Sequence, residues 1–300
     1  MNSIFADMVN QRSNIMKTLN RLNYCLRLLF ISLAFFCFKT SRASNFNAPK
    51  DTVNQTNKFK LKTVIVDAGH GGFRTGASGK YSVEKNVTLQ IAFKLQKAIE
   101  KELSDVKVVM TRTTDDDILW QKRSDIANEA KGDIFISIHC NSLPNKIIRS
   151  ASGKKTSVAN RSGKGVLLLV YGFHRTKEEE KAIKETRLND EEEMDAVIDP
   201  NDPAAMILMN EYKRKYRKQS VRFASILNQE FIENDGRRSE GIREQGVLVL
   251  CHSAMPAVLV ETGYINNPDE EDYLNSEQGQ NQIVATIVRA LKTLKTEVEA

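Results

Sequence analysis

The stretch Thr63-Val64-Ile65-Val66-Asp67-Ala68-Gly69-His70-Gly71-Gly72 constrains the fold more than any other part of the chain. Val64 to Val66 is an uninterrupted apolar run, the pattern of a strand covered on both faces. Asp67 follows, and then a histidine set among three glycines. Glycine lets the backbone turn sharply and leaves open space beside an imidazole. Open α/β sheets bind their ligands at the carboxyl ends of strands, and His70 falls at such an end.

The unit recurs. Val106 to Met110 is a second apolar strand, ending in Thr111-Arg112, and Asp133 to Ser142 is a third, carrying His139-Cys140-Asn141 at its end. After the first strand, Val87, Ile91, Leu95 and Ile99 repeat every four residues, marking a helix that Ser82 can cap. Glu84 lies in its first turn. A second helix is expected over about Leu119 to Ala130, with Asp115-Asp116-Asp117 as a solvated turn that caps it. Gly165 to Tyr171 and the run up to Glu261 read as further strands. Val221 to Phe231 and Ile283 to Leu294 read as further helices. This alternation predicts an α/β fold: a mostly parallel twisted sheet with helices on both faces, in one domain spanning 63–296.

In such a sheet, strand carboxyl ends and the amino ends of the following helices share one edge. His70, Glu84 and His139 can therefore converge, and two histidines with one carboxylate are a common catalytic zinc set that leaves a position for water. Taken singly, His70 also fits a surface turn, and Glu84 a carboxylate favoured by the helix dipole. Glu261 ends a buried strand, where a carboxylate needs a partner or a task.

Composition narrows the setting. In 300 residues, 41% hydrophobic and 27% charged content is ordinary for a globular protein. The net charge of +6 suits an anionic polymer, cell-wall material or nucleic acid, without selecting either. Leu28 to Phe38 is an apolar run preceded by Lys17, Arg21 and Arg27 and followed by Thr40-Ser41-Arg42-Ala43. That is the order of a secretory signal, expected over 1–43 with cleavage after Ala43 and Met16 as an alternative start. The run of about 11 residues is short of the ~20 that a span needs, so an uncleaved anchor is the lesser alternative and the only expected membrane contact. Residues 44–62 read as a polar tether, and the mature protein is expected in the periplasm or cell envelope. Of four cysteines, cleavage leaves Cys140 and Cys251, too few for a disulfide framework.

Three polar stretches are expected at the surface. Ile147 to Ser162 is basic and Gly/Ser-rich, an exposed loop. Residues 176–199 form a charged insertion, with Glu178 to Glu180 and Glu191 to Glu193. Lys213, Arg214, Lys215, Arg217 and Lys218 lack the motif context of a nucleic-acid reader. Export also argues against a nucleic-acid partner.

Together the stretches resemble the zinc-dependent N-acetylmuramoyl-L-alanine amidases of the AmiC/LytC-like family. They are Asp67 to Gly72, Glu84-Lys85, Thr111-Arg112, Ser137 to Asn141 and Pro256 to Asn267, in that order. The resemblance runs from about Thr63 to Leu294. It implies hydrolysis of the amide between N-acetylmuramic acid and L-alanine in peptidoglycan, for wall remodelling or daughter-cell separation. On its pattern His70, Glu84 and His139 bind zinc, and Glu261 is the catalytic base acting on water. On the same pattern 176–199 can be a helical insertion that occludes the metal until an activator protein moves it, with Glu191, Glu192 and Glu193 as candidate plugs; the competing reading is a segment that widens the glycan groove and is open throughout. One departure stands out: Leu250-Cys251 occupies a place where the family often has Leu-Arg, putting a substrate-side contact in doubt. His252 beside it is expected at the surface or behind the site. A non-catalytic or partner-regulated wall-binding protein of the same fold, or another zinc wall peptidase, remains the alternative.

Overall fold

The computed structural model describes residues 60–150, 153–172 and 203–300. The expected signal, nearly all of the tether and the insertion at 176–199 lie outside the described residues. No helix among the described residues is long and apolar enough to cross a membrane.

β1 (Thr63–Ala68) is followed by α1 (Glu84–Glu102), β2 (Lys107–Met110), α2 (Trp120–Glu129) and β3 (Ile134–Asn141). Two short strands, β4 (Lys146–Arg149) and β5 (Lys155–Val158), precede β6 (Val166–Tyr171). Then come α3 (Pro203–Glu233), β7 (Ser239–Gln245), the single turn α4 (Leu248–Cys251), β8 (Ala257–Tyr264), α5 (Pro268–Asn275) and α6 (Glu277–Glu299). Six strands form one sheet in the order β2-β1-β3-β8-β6-β7. β2, β1, β3 and β8 are mutually parallel; β6 lies antiparallel to β8, and β7 runs parallel to β6. The α/β, mostly parallel expectation holds.

Period-two alternation divides each strand between two cores. Val64, Val66, Ile136, Ile138, Val258 and Val260 face a large cluster that includes residues of α1, α3 and α6. Ile65, Phe135, Leu169 and Leu259 face a smaller cluster built with Ala127 of α2 and Val249 and Leu250 of α4. Continuous apolar runs in sequence therefore report a sheet covered on both sides, as expected.

Several local expectations change. Ser82 does not cap α1; the cap position is Val83, and the Ser82 hydroxyl donates instead to Glu271 Oε1 at 2.8 Å. Asp115 and Asp117 do not cap α2, whose cap position is Leu119 with no side-chain bond. They turn back toward the His70 loop. Residues 147–162 are not wholly loop, because β4 and β5 pair as an exposed antiparallel hairpin. β7 has no apolar run at all: it is an edge strand whose side chains are half-buried or exposed. The helix expected from about Val221 starts much earlier, at Pro203.

Candidate metal centre and active-site cleft

Two strand carboxyl ends and one helix start meet, as the topology led one to expect. His70 follows β1, His139 lies near the end of β3, and Glu84 opens α1. One ligand atom from each lies within 4.8 Å of the others. Nε2 of His70 is 3.1 Å from Glu84 Oε2, and Nδ1 of His139 is 2.9 Å from Glu84 Oε1. The two imidazoles stand edge to face, with centroids 4.9 Å apart. No other group of three metal-ligating side chains of this kind occurs among the described residues.

Glu84 is buried, and both its oxygens also accept backbone N–H bonds, from Ala77 at 2.7 Å and from Cys140 at 2.9 Å. Burial alone would raise its pKa. The hydrogen bonds and charges of His139 and His70 outweigh that and hold it well below the usual carboxylate range. His139 shows the reciprocal effect: burial opposes its charged form, but Glu84 raises it above the ordinary imidazole value. The carboxylate is therefore ionised and aimed, as a metal ligand must be.

The loop that carries His70 is strained and braced. His70 has φ 59°, and Gly71 and Gly72 also have positive φ. A side chain larger than hydrogen adopts that region rarely, and such strain persists only when the surroundings impose it. Two arginines impose it. Arg112 donates to the carbonyls of Ala68 and Gly69, each at 2.9 Å. Arg123 donates to the carbonyls of Ala68 and His70. Asp67 orients Arg123 through a 2.8 Å bond and is itself held by Thr111 at 2.5 Å and Ser137 at 2.6 Å. On the outer side, Asp115 accepts from Gly72 N at 2.9 Å and Lys85 Nζ at 2.5 Å, and Arg74 pairs with Asp117.

The approach to Glu84 is tied down from further away. Glu271 of α5 is buried and accepts from the backbone N–H groups of Lys80, Tyr81 and Ser82 at 2.7 to 2.9 Å. Sequence reasoning missed Arg123, Glu271 and the role of Asp115. Arg123 and Glu271 sit in helices where a charged residue reads as solvated surface, and nothing local marks them as buried.

Glu261 is the β8 residue paired with His139 in the β3–β8 register, so the two side chains share a sheet face. Its Oε2 is buried with no hydrogen-bond partner among the described residues. Burial pushes its carboxyl up to about 7; the charge of His139 works against this and that of Glu84 adds to it. A carboxyl poised there can take up and release a proton near neutrality.

The two histidines open into a cleft of about 280 Å³ lined by His70, His139, Arg74, Trp120, Val247 and Leu259, among others. A second cavity of about 260 Å³, beside Tyr216 and Met255, contains none of the site residues. His252 is not in the cluster; its ring packs on Trp120. Cys251 is fully buried, its thiol 3.1 Å from the Leu248 carbonyl, so this position offers no side chain to a substrate. Cys140 and Cys251 are both free thiols. Burial raises the Cys140 thiol well above its ordinary value, which keeps it neutral packing and not a nucleophile.

Comparison with known proteins agrees with this geometry. The probable cell wall amidase LytH of Staphylococcus epidermidis is 30% identical over 252 residues, covering 83% of this chain. This chain spans 64% of the length of that relative. The crystal structure of an N-acetylmuramoyl-L-alanine amidase from Clostridium difficile 630 superposes with a TM-score of 0.53 at 25% identity, over 78% of this chain and 97% of the other. The amidase AmiC2 of Nostoc punctiforme gives 0.52 at 26% identity, over 78% and 98%. Residues 64–293 match the N-acetylmuramoyl-L-alanine amidase family, and the chain belongs to that family.

Proposed function

We infer that the protein is a zinc-dependent amidase that hydrolyses the amide between N-acetylmuramic acid and L-alanine in peptidoglycan. The observation that carries this reading is the convergence of His70, Glu84 and His139 beside a buried, unpartnered Glu261 oxygen. The donor set fits zinc: two imidazole nitrogens and one ionised carboxylate, with the remaining carboxylate left for chemistry. When bound, zinc supplies a Lewis acid that polarises the scissile carbonyl and lowers the pKa of water from ~15.7 toward ~7.

The chain's own residues supply the rest. His70, Glu84 and His139 would hold the metal, and the arginine grip on the His70 loop keeps one of these side chains in place without it. Glu261 Oε2 receives the proton of the attacking water and returns it to the departing amine of L-alanine. Its burial holds the proton affinity near neutrality. The cleft excludes bulk water from one side through Leu259, Val247 and Trp120.

The cellular setting rests on sequence. The N-terminal signal implies export to the cell envelope, and the insertion at 176–199 implies restraint that an activator protein relieves. Replacing 176–199 with a short Gly/Ser linker would then raise the basal rate on purified peptidoglycan; an equal or lower rate removes the restraint.

The deciding experiment is product analysis by mass spectrometry after digestion of purified sacculi. New amino termini at L-alanine are expected. Cuts within the stem peptide would make the protein a wall peptidase, and no cleavage by zinc-loaded protein, with or without the insertion, would make it a binding module.

A further inference from the structure

Trp120 is the only tryptophan of the chain. It belongs to none of the apolar clusters among the described residues. It keeps 37% exposure at the start of α2, on the wall of the cleft that holds His70 and His139. An aromatic face on the wall of a cleft offers a stacking surface to whatever the cleft binds.

The indole is also held in position. Its ring lies 4.8 Å from that of His252, tilted by 47°. Asn128 of α2 donates to the His252 carbonyl at 2.8 Å and accepts from Ala254 N at 2.9 Å. Ser124, also in α2, donates to the Val249 carbonyl at 2.9 Å. These bonds clasp α2 to the α4 turn, so Trp120 and His252 form one preorganised shelf.

Resting on the amidase reading, we propose that Trp120, backed by His252, is a glycan subsite that seats the pyranose ring of an N-acetylhexosamine on the acyl side of the scissile bond. The chemistry of the wall selects the sugar over the peptide. Stem peptides carry ionised carboxylates, whereas the ring next to the cleaved amide carries none. The shelf is continued by Ile118, Val247 and Leu248, which present no charge. The two cleft cations, Arg74 and Arg123, are already engaged by Asp117 and Asp67. Pyranose C–H bonds present partial positive charge, the complement of the negative face of an indole.

A single tryptophan makes the test direct. Fluorescence of the zinc-loaded full chain, and of the variant with a short Gly/Ser linker in place of 176–199, is followed during titration with tetra-N-acetylchitotetraose, a glycan without peptide, and separately with L-alanyl-D-isoglutamine, a peptide without glycan. The glycan is expected to shift the emission saturably, and the peptide to leave it unchanged. On peptidoglycan fragments, Trp120→Ala is expected to raise KM by about 5- to 10-fold with little change in kcat, and Trp120→Phe to recover part of the loss. Thermal unfolding of both variants separates a lost subsite from a lost fold. A response to the peptide alone, no saturable response to either probe, or a KM in folded Trp120→Ala equal to that of the parent would overturn the subsite. Saturable glycan binding without release of L-alanine amino termini would instead overturn the amidase reading and leave the subsite standing.

Discussion

Gly69 lies directly beneath the His139 imidazole: a Cβ at residue 69 would stand 2.5 Å from both Cε1 and Nε2 of that ring. His139 cannot retreat freely, because its Nδ1 is fixed on Glu84. Gly69→Ala is therefore expected to displace the ring while leaving the sheet intact. Metal affinity should fall by about 10- to 100-fold, the usual cost of disturbing what orients a ligand. A zinc competition titration with circular dichroism as the fold control checks this; unchanged affinity would show that the loop moves instead.

Glu261→Gln separates base from ligand. The substitution keeps shape and removes the proton acceptor, so zinc content should persist while turnover falls ~10²–10⁴-fold. His70→Ala or His139→Ala should lose metal and activity together. Metal analysis beside initial rates distinguishes the two patterns, and an active zinc-loaded Glu261→Gln would remove Glu261 from the mechanism.

Asp67 predicts the acid limit of stability. It is buried; desolvation would raise its pKa, but Arg123 and the Ser137 and Thr111 hydroxyls lower it overall. A carboxylate with a depressed folded value contributes stability above its unfolded pKa of ~3.9 and loses it as pH falls through the folded value. Asp67→Asn should cost about 3 kcal/mol at pH 7, because it leaves Arg123 buried without its counter-ion. Denaturant unfolding at pH 7 and below pH 4 tests both statements: the difference between parent and variant should shrink in acid. A constant difference would place the effect in packing.

Glu271 tests the long-range brace. Three backbone N–H groups lose their acceptor in Glu271→Ala, which frees the segment that delivers Glu84. The expected result is a weaker metal site with a native sheet, read as lower zinc affinity and faster proteolytic nicking near residues 80–82. Resistance to nicking equal to the parent would mean that the segment holds itself.

The parts of this molecule that sequence made legible share one property: their signal is local. A run such as Val64 to Val66 declares a covered strand, and a histidine after it among glycines declares an open strand end. Glu84 could be placed because topology alone puts a helix start at that edge. The misreadings share the opposite property. Ser82, Asp115 and Asp117 have the residue types of caps, and tertiary partners 30 to 189 positions away took their hydrogen bonds instead. β7 is an edge strand of sequence Ser-Glu-Gly-Ile-Arg-Glu-Gln, so half-exposed side chains give it no apolar period to detect. Arg123 was invisible for a related reason: its long stem crosses from a polar helix face to the carbonyl of His70, and only the folded neighbourhood reveals that the charge is buried.

The two layers that sandwich the sheet are unequal. Among the described residues, α1, α3 and α6 are long and supply the larger core, whereas the other side carries α2 and the single turn α4. Local opening follows the amount of apolar contact that must be broken, so the thin layer is where the native state breathes first. Hydrogen–deuterium exchange should accordingly reach the amides of α2 well before those of α1 and α6. Because the thin layer is also one wall of the cleft, such an opening would widen the mouth from that side alone and leave undisturbed the strands that hold the histidines.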